Sequence, residues 1–352
     1  MNLMKLFSIT TMTALFSIAF TACEPSNTEP QDDTSGLTPP PPPPIDLWEE
    51  EIESGGEIYA DFRYKIEAGA ITIIRYEGES GMVSIPPEIE EIPVTTIGIH
   101  AFRQTHLTAV VIPDSVTSIG FAAFAYNHLT SVVIPDSVTA IEKCAFISNR
   151  LTEIIISGSV TSIEYAVFSQ NQLTGIVIPD SVTCIGDSAF SFNQLTSVVI
   201  PDSVTSIGFA AFYDNQLTSV GIPNSVTFIG VWAFAYNRLT SITIPDSVTM
   251  IEVGPFENNQ LTSVVIPDSV TSIGDAAFMS NQITFIIIPD SVTKIGKKSF
   301  WENPLTGITI GENVNLEWET FGFGFVEKYN AYGRQAGTYS RPNAYSYFWK
   351  IQ

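Results

Sequence analysis

The sequence predicts a repeat solenoid of 22-residue units, with a parallel β-sheet on one face, short turns, 3-10 or helical segments on the other, and β-rich caps. The fourteen residues LTSVVIPDSVTSIG occur identically at 195–208 and at 261–274. Near-copies begin at Leu217 and Leu239, which sets the period at 22. The apolar residues of the unit also recur at fixed positions, as the shared core of a stacked array requires.

The length and charge of the chain narrow its possible classes. A chain of 352 residues is long for one compact domain but ordinary for a repeat array. It carries 15 Lys and Arg against 37 Asp and Glu, and the net charge of −22 repels nucleic acid. We therefore expect no nucleic-acid partner. With only Cys23, Cys144 and Cys184 present, we also expect no disulfide framework.

Residues 1–22 have the layout of a signal peptide. The stretch LFSITTMTALFSIAF follows MNLMK and is shorter than the roughly 20 apolar residues that span a bilayer. The next residues, FTAC, resemble a bacterial lipobox. That resemblance implies cleavage before Cys23, lipidation of its thiol and anchoring to the bacterial membrane, at the outer membrane or cell surface. The alternative is a secreted protein in which Cys23 merely follows the cleavage site.

Residues 23–55 are predicted to form a linker. They are rich in Pro, Ser, Thr and acidic residues, and six prolines run from Pro39 to Pro44. Such a run adopts polyproline II at about 3.1 Å per residue, which gives a stiff spacer of roughly 19 Å. We expect this spacer to hold the rest of the chain away from the membrane.

Nine complete units fill residues 107–304, the first starting at Leu107 and the last at Ile283. Within each unit, positions 1, 4, 6, 10, 13 and 18 are always apolar, and they are the predicted core. Position 18 is Phe in every unit: Phe124, Phe146, Phe168, Phe190, Phe212, Phe234, Phe256, Phe278 and Phe300. Phe102 occupies the equivalent position one unit earlier. Residues 56–106, a β-rich stretch with a degenerate first repeat, and residues 305–352, a degenerate repeat with an aromatic tail, are predicted to cap the open ends.

Each unit is predicted to be one coil with a strand at positions 3 to 7. Positions 4 and 6 alternate as strand residues do, and Pro, Asp and Ser at positions 7 to 9 end the strand in a turn. One coil buries too few apolar side chains to offset the ordering cost of ~1–2 kcal/mol per residue. Stacking is therefore required, and the strands should join a continuous parallel sheet.

Position 21 is Asn in all nine units, which predicts an asparagine ladder. A buried amide must be hydrogen-bonded, and a stacked Asn can bond the turn backbone of its own coil and the next. The predicted members are Asn127, Asn149, Asn171, Asn193, Asn215, Asn237, Asn259, Asn281 and Asn303.

The repeated IPDSVTSIG and AF, with a following Leu-Thr, resemble the BspA-like leucine-rich repeat family of bacterial surface lipoproteins. The resemblance covers roughly residues 83–326. The family's unit is commonly one residue longer and has Cys where this chain has Asn. The resemblance implies a leucine-rich repeat solenoid and adhesion to host matrix proteins or to other bacteria.

No catalytic or cofactor site is predicted. Almost every polar residue recurs at the same position in many units, and no single one has the His and Asp partners that a catalytic serine would need. His106 and His128 share position 22 of adjacent coils without a third ligand, so we expect surface histidines rather than a metal site. Cys144 and Cys184 lie two coils apart, which argues against a disulfide between them. An acidic row occupies position 8, and it either caps the turn or holds calcium weakly. Its members are Asp114, Asp136, Asp180, Asp202, Asp246, Asp268 and Asp290.

Two sets of residues are candidate binding surfaces. The apolar row lies at position 5, which should face outward: Val111, Val133, Ile155, Val177, Val199, Val265 and Ile287. Either β-propensity or a binding function accounts for it. The turn aromatics lie at variable positions: Phe121, Tyr126, Tyr165, Phe192, Phe209, Tyr213, Trp232, Tyr236 and Trp301. They either anchor an interface or shield the core.

The sequence therefore predicts a non-enzymatic, surface-tethered protein that presents an acidic solenoid to a protein or glycan partner. The alternative is a structural envelope protein without a host ligand. Accessibility to external protease on intact cells distinguishes the two.

Overall fold

The computed structural model describes residues 55–352 as a β-solenoid with little helix. The predicted signal peptide, the lipidation site at Cys23 and nearly all of the predicted linker lie outside the described residues. Within residues 55–352, no helix is long and apolar enough to cross a membrane. The solenoid class predicted from the 22-residue period is confirmed.

Each coil of the array contributes two short strands, and each kind stacks in parallel on its counterparts. The first ladder uses positions 3 to 5 after a longer first strand: β7 Leu107–Val111, β9 Ser131–Val133, β11 Glu153–Ile155, β13 Gly175–Val177, β15 Ser197–Val199, β17 Ser219–Gly221, β19 Ser241–Thr243, β21 Ser263–Val265 and β23 Phe285–Ile287. The second uses positions 12 and 13: β8 Ser118–Ile119, β10 Ala140–Ile141, β12 Ser162–Ile163, β14 Cys184–Ile185, β16 Ser206–Ile207, β18 Phe228–Ile229, β20 Met250–Ile251, β22 Ser272–Ile273 and β24 Lys294–Ile295. The second ladder was not predicted.

The pairing register equals the repeat period. Val198 pairs with Val220 in the first ladder, and Ile207 pairs with Ile229 in the second. The first ladder is interrupted, for example between β11 and β13 and between β17 and β19. The first ladder is therefore a series of short parallel sheets rather than the predicted continuous sheet. Its strands are also shorter than the predicted strands, which covered positions 3 to 7.

The third side of each coil is a turn whose N–H groups also bond to the next coil. In one coil Ala210, Phe212 and Asp214 donate to the carbonyls of Val231, Ala233 and Ala235, at 2.8, 2.8 and 3.1 Å. Positions 16 and 20 adopt positive φ throughout the array, at 50° for Ala210 and 52° for Asp214. This conformation is uncommon for residues other than glycine. The turn thus satisfies its buried donors at the expense of backbone strain twice per coil.

Glycine is frequent at position 14 because the preceding coil leaves no room for a side chain. A Cβ on Gly230 would lie 2.6 Å from the carbonyl carbon of Gly208. Three coils nevertheless carry Glu at this position, at Glu142, Glu164 and Glu252. The second ladder is interrupted between β10 and β12 and between β18 and β20. These interruptions coincide with Glu164 and Glu252.

The predicted phenylalanine column forms a continuous stack in the core. Neighbouring rings from Phe102 to Phe321 are stacked, with centroids 5.0–5.9 Å apart. Phe321 was missed in the sequence because the tenth coil is one residue short. Leu316 rather than Glu317 pairs with Ile295 there, which restores the core position that the pattern loses at Glu317.

Additional strands close both ends of the solenoid. The N-terminal strands are β1 Glu57–Tyr59, β2 Phe62–Glu67, β3 Ala70–Tyr76, β4 Gly81–Ser84, β5 Glu88–Ile89 and β6 Ile92–Ile97. The C-terminal elements are β25 Gly307–Ile310, β26 Asn315–Leu316, α1 Phe325–Ala331, β27 Gly337–Ser340 and β28 Lys350–Ile351. β27 pairs antiparallel with β25, so it covers the last edge of the first ladder.

Candidate binding surfaces

The asparagine ladder holds the coils together and leaves no free amide for a ligand. Asn193 Oδ1 accepts from the Leu173 N–H at 3.0 Å, and its Nδ2 donates to the Phe168 carbonyl of the preceding coil at 2.9 Å. The same amide donates to the Phe190 carbonyl of its own coil at 3.2 Å. The other eight members repeat this pattern, so each Asn bonds to its own coil and to the preceding coil, rather than the next one as predicted.

The apolar row faces outward on the first ladder. The residue before it in each strand, at position 4, is buried or half-buried, whereas the seven members of the row at position 5 are 47–81% exposed. Five of them occupy consecutive coils from Val111 to Val199. Gly221 and Thr243 interrupt the row before Val265 and Ile287 resume it. The outward placement predicted for position 5 is therefore found for every member.

The acidic row borders the apolar row, because position 8 follows position 5 along each coil. All seven carboxylates are exposed. In several coils the position-9 serine ties the turn to the preceding coil: Ser203 donates to the Val182 carbonyl at 2.6 Å, and Ser291 donates to that of Val270 at 2.7 Å. The equivalent hydroxyls of Ser115, Ser137 and Ser225 have no hydrogen-bond partner among the described residues. Within residues 55–352 no hydrogen bond joins a carboxylate of the acidic row to this turn, so the capping role of Asp stays a prediction.

The turn aromatics form two clusters outside the main core. Phe121, Tyr126 and Tyr165 pack half-buried around small residues that include Ala122 and Cys144. Burial raises the pKa of the Cys144 thiol to about 12, while Lys143 lowers it, so this free thiol stays protonated and unreactive. Because Cys144 is free, it is not bridged to Cys184.

In the second cluster, two of the residues predicted as a candidate binding surface are buried. Tyr213 and Trp232 are buried, with Phe192 and Phe209 packed half-buried against them. The Phe209 and Trp232 rings meet edge to face at 5.6 Å, and Trp232 Nε1 donates to Glu257 at 3.2 Å. Tyr213 and Trp232 are therefore not exposed anchors, because neighbouring coils cover them. Of the turn aromatics, Tyr236 remains exposed and Trp301 half-buried.

The two histidines of position 22 lie side by side. The His106 and His128 ring centroids are 5.5 Å apart. Within residues 55–352, no group of three or more His, Cys, Asp or Glu is placed to hold a metal ion.

A cleft at the C-terminal end was missed in the sequence, where only an aromatic-rich tail is visible. The C-terminal cleft has a volume of about 550 Å³ and lies between the end of the tenth coil, α1 and the final segment. Its aromatic walls are Trp318, Phe323 and Tyr347. Charged side chains of Glu319, Glu327 and Lys328 also line it, beside Gly322, Gly324 and Ala331.

The repeat region is similar to a known protein family. A family model described as a BspA type leucine rich repeat region matches residues 95–217 and 205–322, which together span 228 of the 352 residues. Among curated proteins, none matches the chain significantly.

Two solved structures are similar over most of the chain. A leucine-rich repeat protein from Bacteroides ovatus is 26% identical, with a TM-score of 0.57 over 75% of this chain and 68% of that one. A leucine rich cell surface protein from Faecalibacterium prausnitzii is 25% identical, with a TM-score of 0.50 over 81% of this chain and 99% of that one.

Proposed function

The chain belongs to the BspA-type leucine-rich repeat family, and from that premise we propose that it is a binding module displayed at the bacterial surface. Its partner is a protein, a host matrix protein or a component of another cell, bound against the apolar row. The proposal assigns it no catalytic activity.

The observation that carries the proposal is the run of five exposed aliphatic residues on consecutive coils. Coils stack ~4.8 Å apart, so the run from Val111 to Val199 extends roughly 19 Å. β-Propensity alone does not require Val or Ile there, because Thr is also β-branched and occupies this position at Thr243. Thr fills positions 2 and 11 of every unit, yet position 5 is aliphatic in seven of nine. An exposed apolar patch of this length is typical of an interaction site.

The charge beside the apolar row defines the kind of partner. The carboxylates of the acidic row are exposed, three residues after the apolar row in each coil. A basic partner surface gains complementary charge at the rim and apolar contact at the centre. We therefore expect a partner with Lys or Arg around an apolar patch, and an association rate that falls as salt concentration rises.

A binding assay with the purified chain tests this surface. Replacing Val133, Ile155 and Val177 together with Ser removes the centre of the run of five consecutive coils without touching the core. The control replaces Ile66 and Ile99, which are 45% and 60% exposed elsewhere, with Ser. Against a panel of purified matrix proteins, we expect the row variant to lose binding by about tenfold or more and the control to keep it. Equal binding by both variants would exclude the apolar row.

Surface display is tested separately on cells. It is supported by the predicted signal peptide, the FTAC sequence ending at Cys23, and the proline-rich linker. External protease should cleave the array on intact cells, and replacement of Cys23 with Ser should abolish fatty-acid labelling of the chain. An array that survives protease while known surface proteins are cut would instead favour an internal envelope role.

A further inference from the structure

The C-terminal cleft brings three exposed aromatic rings together around one cavity. Other rings of the surrounding segment are buried, as at Phe325 and Trp349, or exposed away from the cavity, as at Tyr345 and Phe348. Trp318, Phe323 and Tyr347 are 61%, 53% and 62% exposed. Phe325 and Trp349 lie buried nearby, with ring centroids 5.1 Å apart. Burying a large apolar side chain contributes roughly 1.5–3 kcal/mol, so three exposed rings around one cavity are unfavourable for folding alone. They are expected where a ligand covers them.

The cleft is held in shape by its buried floor. Phe325 and Tyr329 of α1 point into the core, and Phe325 meets Phe321, the last ring of the phenylalanine stack, at 4.9 Å. Gly324 has a φ of 78°, and a Cβ there would lie 3.0 Å from the Tyr347 carbonyl oxygen. This glycine thus allows the final segment to approach α1 closely enough to form one wall. A preformed cavity binds without a large ordering cost.

The polar side chains of the cleft provide both acceptors and donors. Glu319 and Glu327 are hydrogen-bond acceptors, and Lys328 is a donor. A sugar ring presents hydroxyl groups that need both kinds of partner, and its C–H faces pack on the electron-rich face of an aromatic ring. We propose that the C-terminal cleft binds a neutral pyranose unit of a glycan, at a site separate from the apolar row.

The charges around Trp318 separate this ligand from a cationic one. Lys297 Nζ and Lys298 Nζ each lie 5.7 Å from the Trp318 ring centroid. These ammonium groups lie within cation–π distance of the ring and repel a second cation, such as a quaternary ammonium. Glu319 and Glu327, which line the cavity, partly offset these ammonium charges, so an acidic sugar meets carboxylates as well as ammonium groups. A neutral ring meets neither penalty.

The cleft is built from residues that follow the nine complete repeats, so within residues 55–352 its lining is not repeated from coil to coil as the apolar row is. A ligand of the cleft should therefore bind with a stoichiometry of one per chain, whereas the apolar row offers several similar positions. This difference makes failure at one surface distinguishable from failure at the other.

Ligand-observed NMR titration of the full chain with methyl glucoside, galactoside and mannoside tests the proposal. Methyl glucuronide and choline serve as the acidic and cationic probes. We expect saturable binding of at least one neutral glycoside at one site, weakened about tenfold or more by Trp318→Ala and by Tyr347→Ala. The matched control is Tyr345→Ala, which removes a 91% exposed ring from the same segment without changing the lining of the cleft.

The outcomes separate clearly. Binding of a neutral glycoside that is lost in both cleft variants and stays within about twofold in Tyr345→Ala supports the assignment. Saturation by choline or the glucuronide alone would overturn it, as would equal loss in all three variants. Absence of binding by every neutral probe would also refute it. Thermal unfolding of each variant verifies that the chain remains folded.

Discussion

Trp232 lies directly over Gly254, the residue at the same position of the next coil. A Cβ on Gly254 would stand 2.5 Å from both Cδ1 and Nε1 of the indole. Trp232 Nε1 donates to Glu257 of that next coil, which fixes the ring in this place. One large residue at a variable position of the repeat is thus matched by the absence of a side chain one coil later.

This pairing predicts strong coupling between the two positions. Gly254→Ala should destabilise the protein by about 1–3 kcal/mol, because the new methyl group displaces the indole. In a Trp232→Ala background the same change should cost much less. The backbone strain of an alanine at residue 254 is present in both backgrounds and therefore cancels in the coupling. Ala276 shows that alanine adopts positive φ at this position of the repeat. Urea unfolding of the four proteins of this cycle gives the coupling, and a coupling near zero would contradict the steric explanation.

The asparagine ladder should be as important to stability as the apolar core. Asn193→Ala removes the acceptor of the buried Leu173 N–H and one of two donors to the Phe168 carbonyl, which keeps its bond from Asn171 at 3.2 Å. An unsatisfied buried donor costs about 1–3 kcal/mol, so we expect a loss of about that size. The control is Gln194→Ala at the exposed neighbouring position, which should change stability by less than about 0.5 kcal/mol. Chemical denaturation measures both, and similar values for the two variants would contradict the proposed role.

The parts of the fold that recur in the sequence were predictable, because each position appears nine times in register. The phenylalanine stack and the asparagine ladder follow from columns that never vary. The second ladder was not predictable, because two residues such as Ser206 and Ile207 are too short a run to show alternation. Phe321 was missed for a different reason: one deleted residue moves it out of its column.

The exposure of the variable positions was the least predictable feature. Burial of Tyr213 and Trp232 depends on which side chains the neighbouring coils place beside them, and the pattern of one coil does not contain that information. The C-terminal cleft likewise joins Trp318 to Tyr347, which lie in different segments after the repeat has ended. Its only signal in the sequence was an excess of aromatic residues.

Strain at position 16 predicts an unusual stabilising substitution. Ala276 has a φ of 52°, a conformation that costs an alanine roughly 1–2 kcal/mol, whereas glycine adopts it freely. Glycine loses more entropy on folding, by about 0.5–1 kcal/mol. We therefore expect Ala276→Gly to stabilise the protein by up to about 1 kcal/mol. The adjacent Ala277→Gly should destabilise it by about 1 kcal/mol, because Ala277 is buried and not strained. Opposite shifts in the midpoint of urea unfolding are the expected result, and shifts of the same sign would contradict it.

The carboxyl of Asp187 predicts a pH-dependent stability. Burial raises its pKa above the ordinary value of 3.8, although the Phe209 N–H, which donates to it at 2.7 Å, and Lys143 act in the opposite direction. Since the pKa is higher in the folded state than in the unfolded state, folding favours the protonated form. The resulting stability is fully present below the unfolded pKa and is lost as pH rises through the folded pKa.

Asp187→Asn keeps the acceptor oxygen for Phe209 and removes the charge. The variant should therefore be more stable than the wild type at neutral pH, and the difference should shrink as pH falls through the folded pKa and disappear below the ordinary value of 3.8. Thermal unfolding across this range measures the difference, with Asp202→Asn, a change at an exposed carboxyl, as the matched control. A difference for Asp187→Asn that stays constant with pH would mean that ionisation of this carboxyl does not oppose folding.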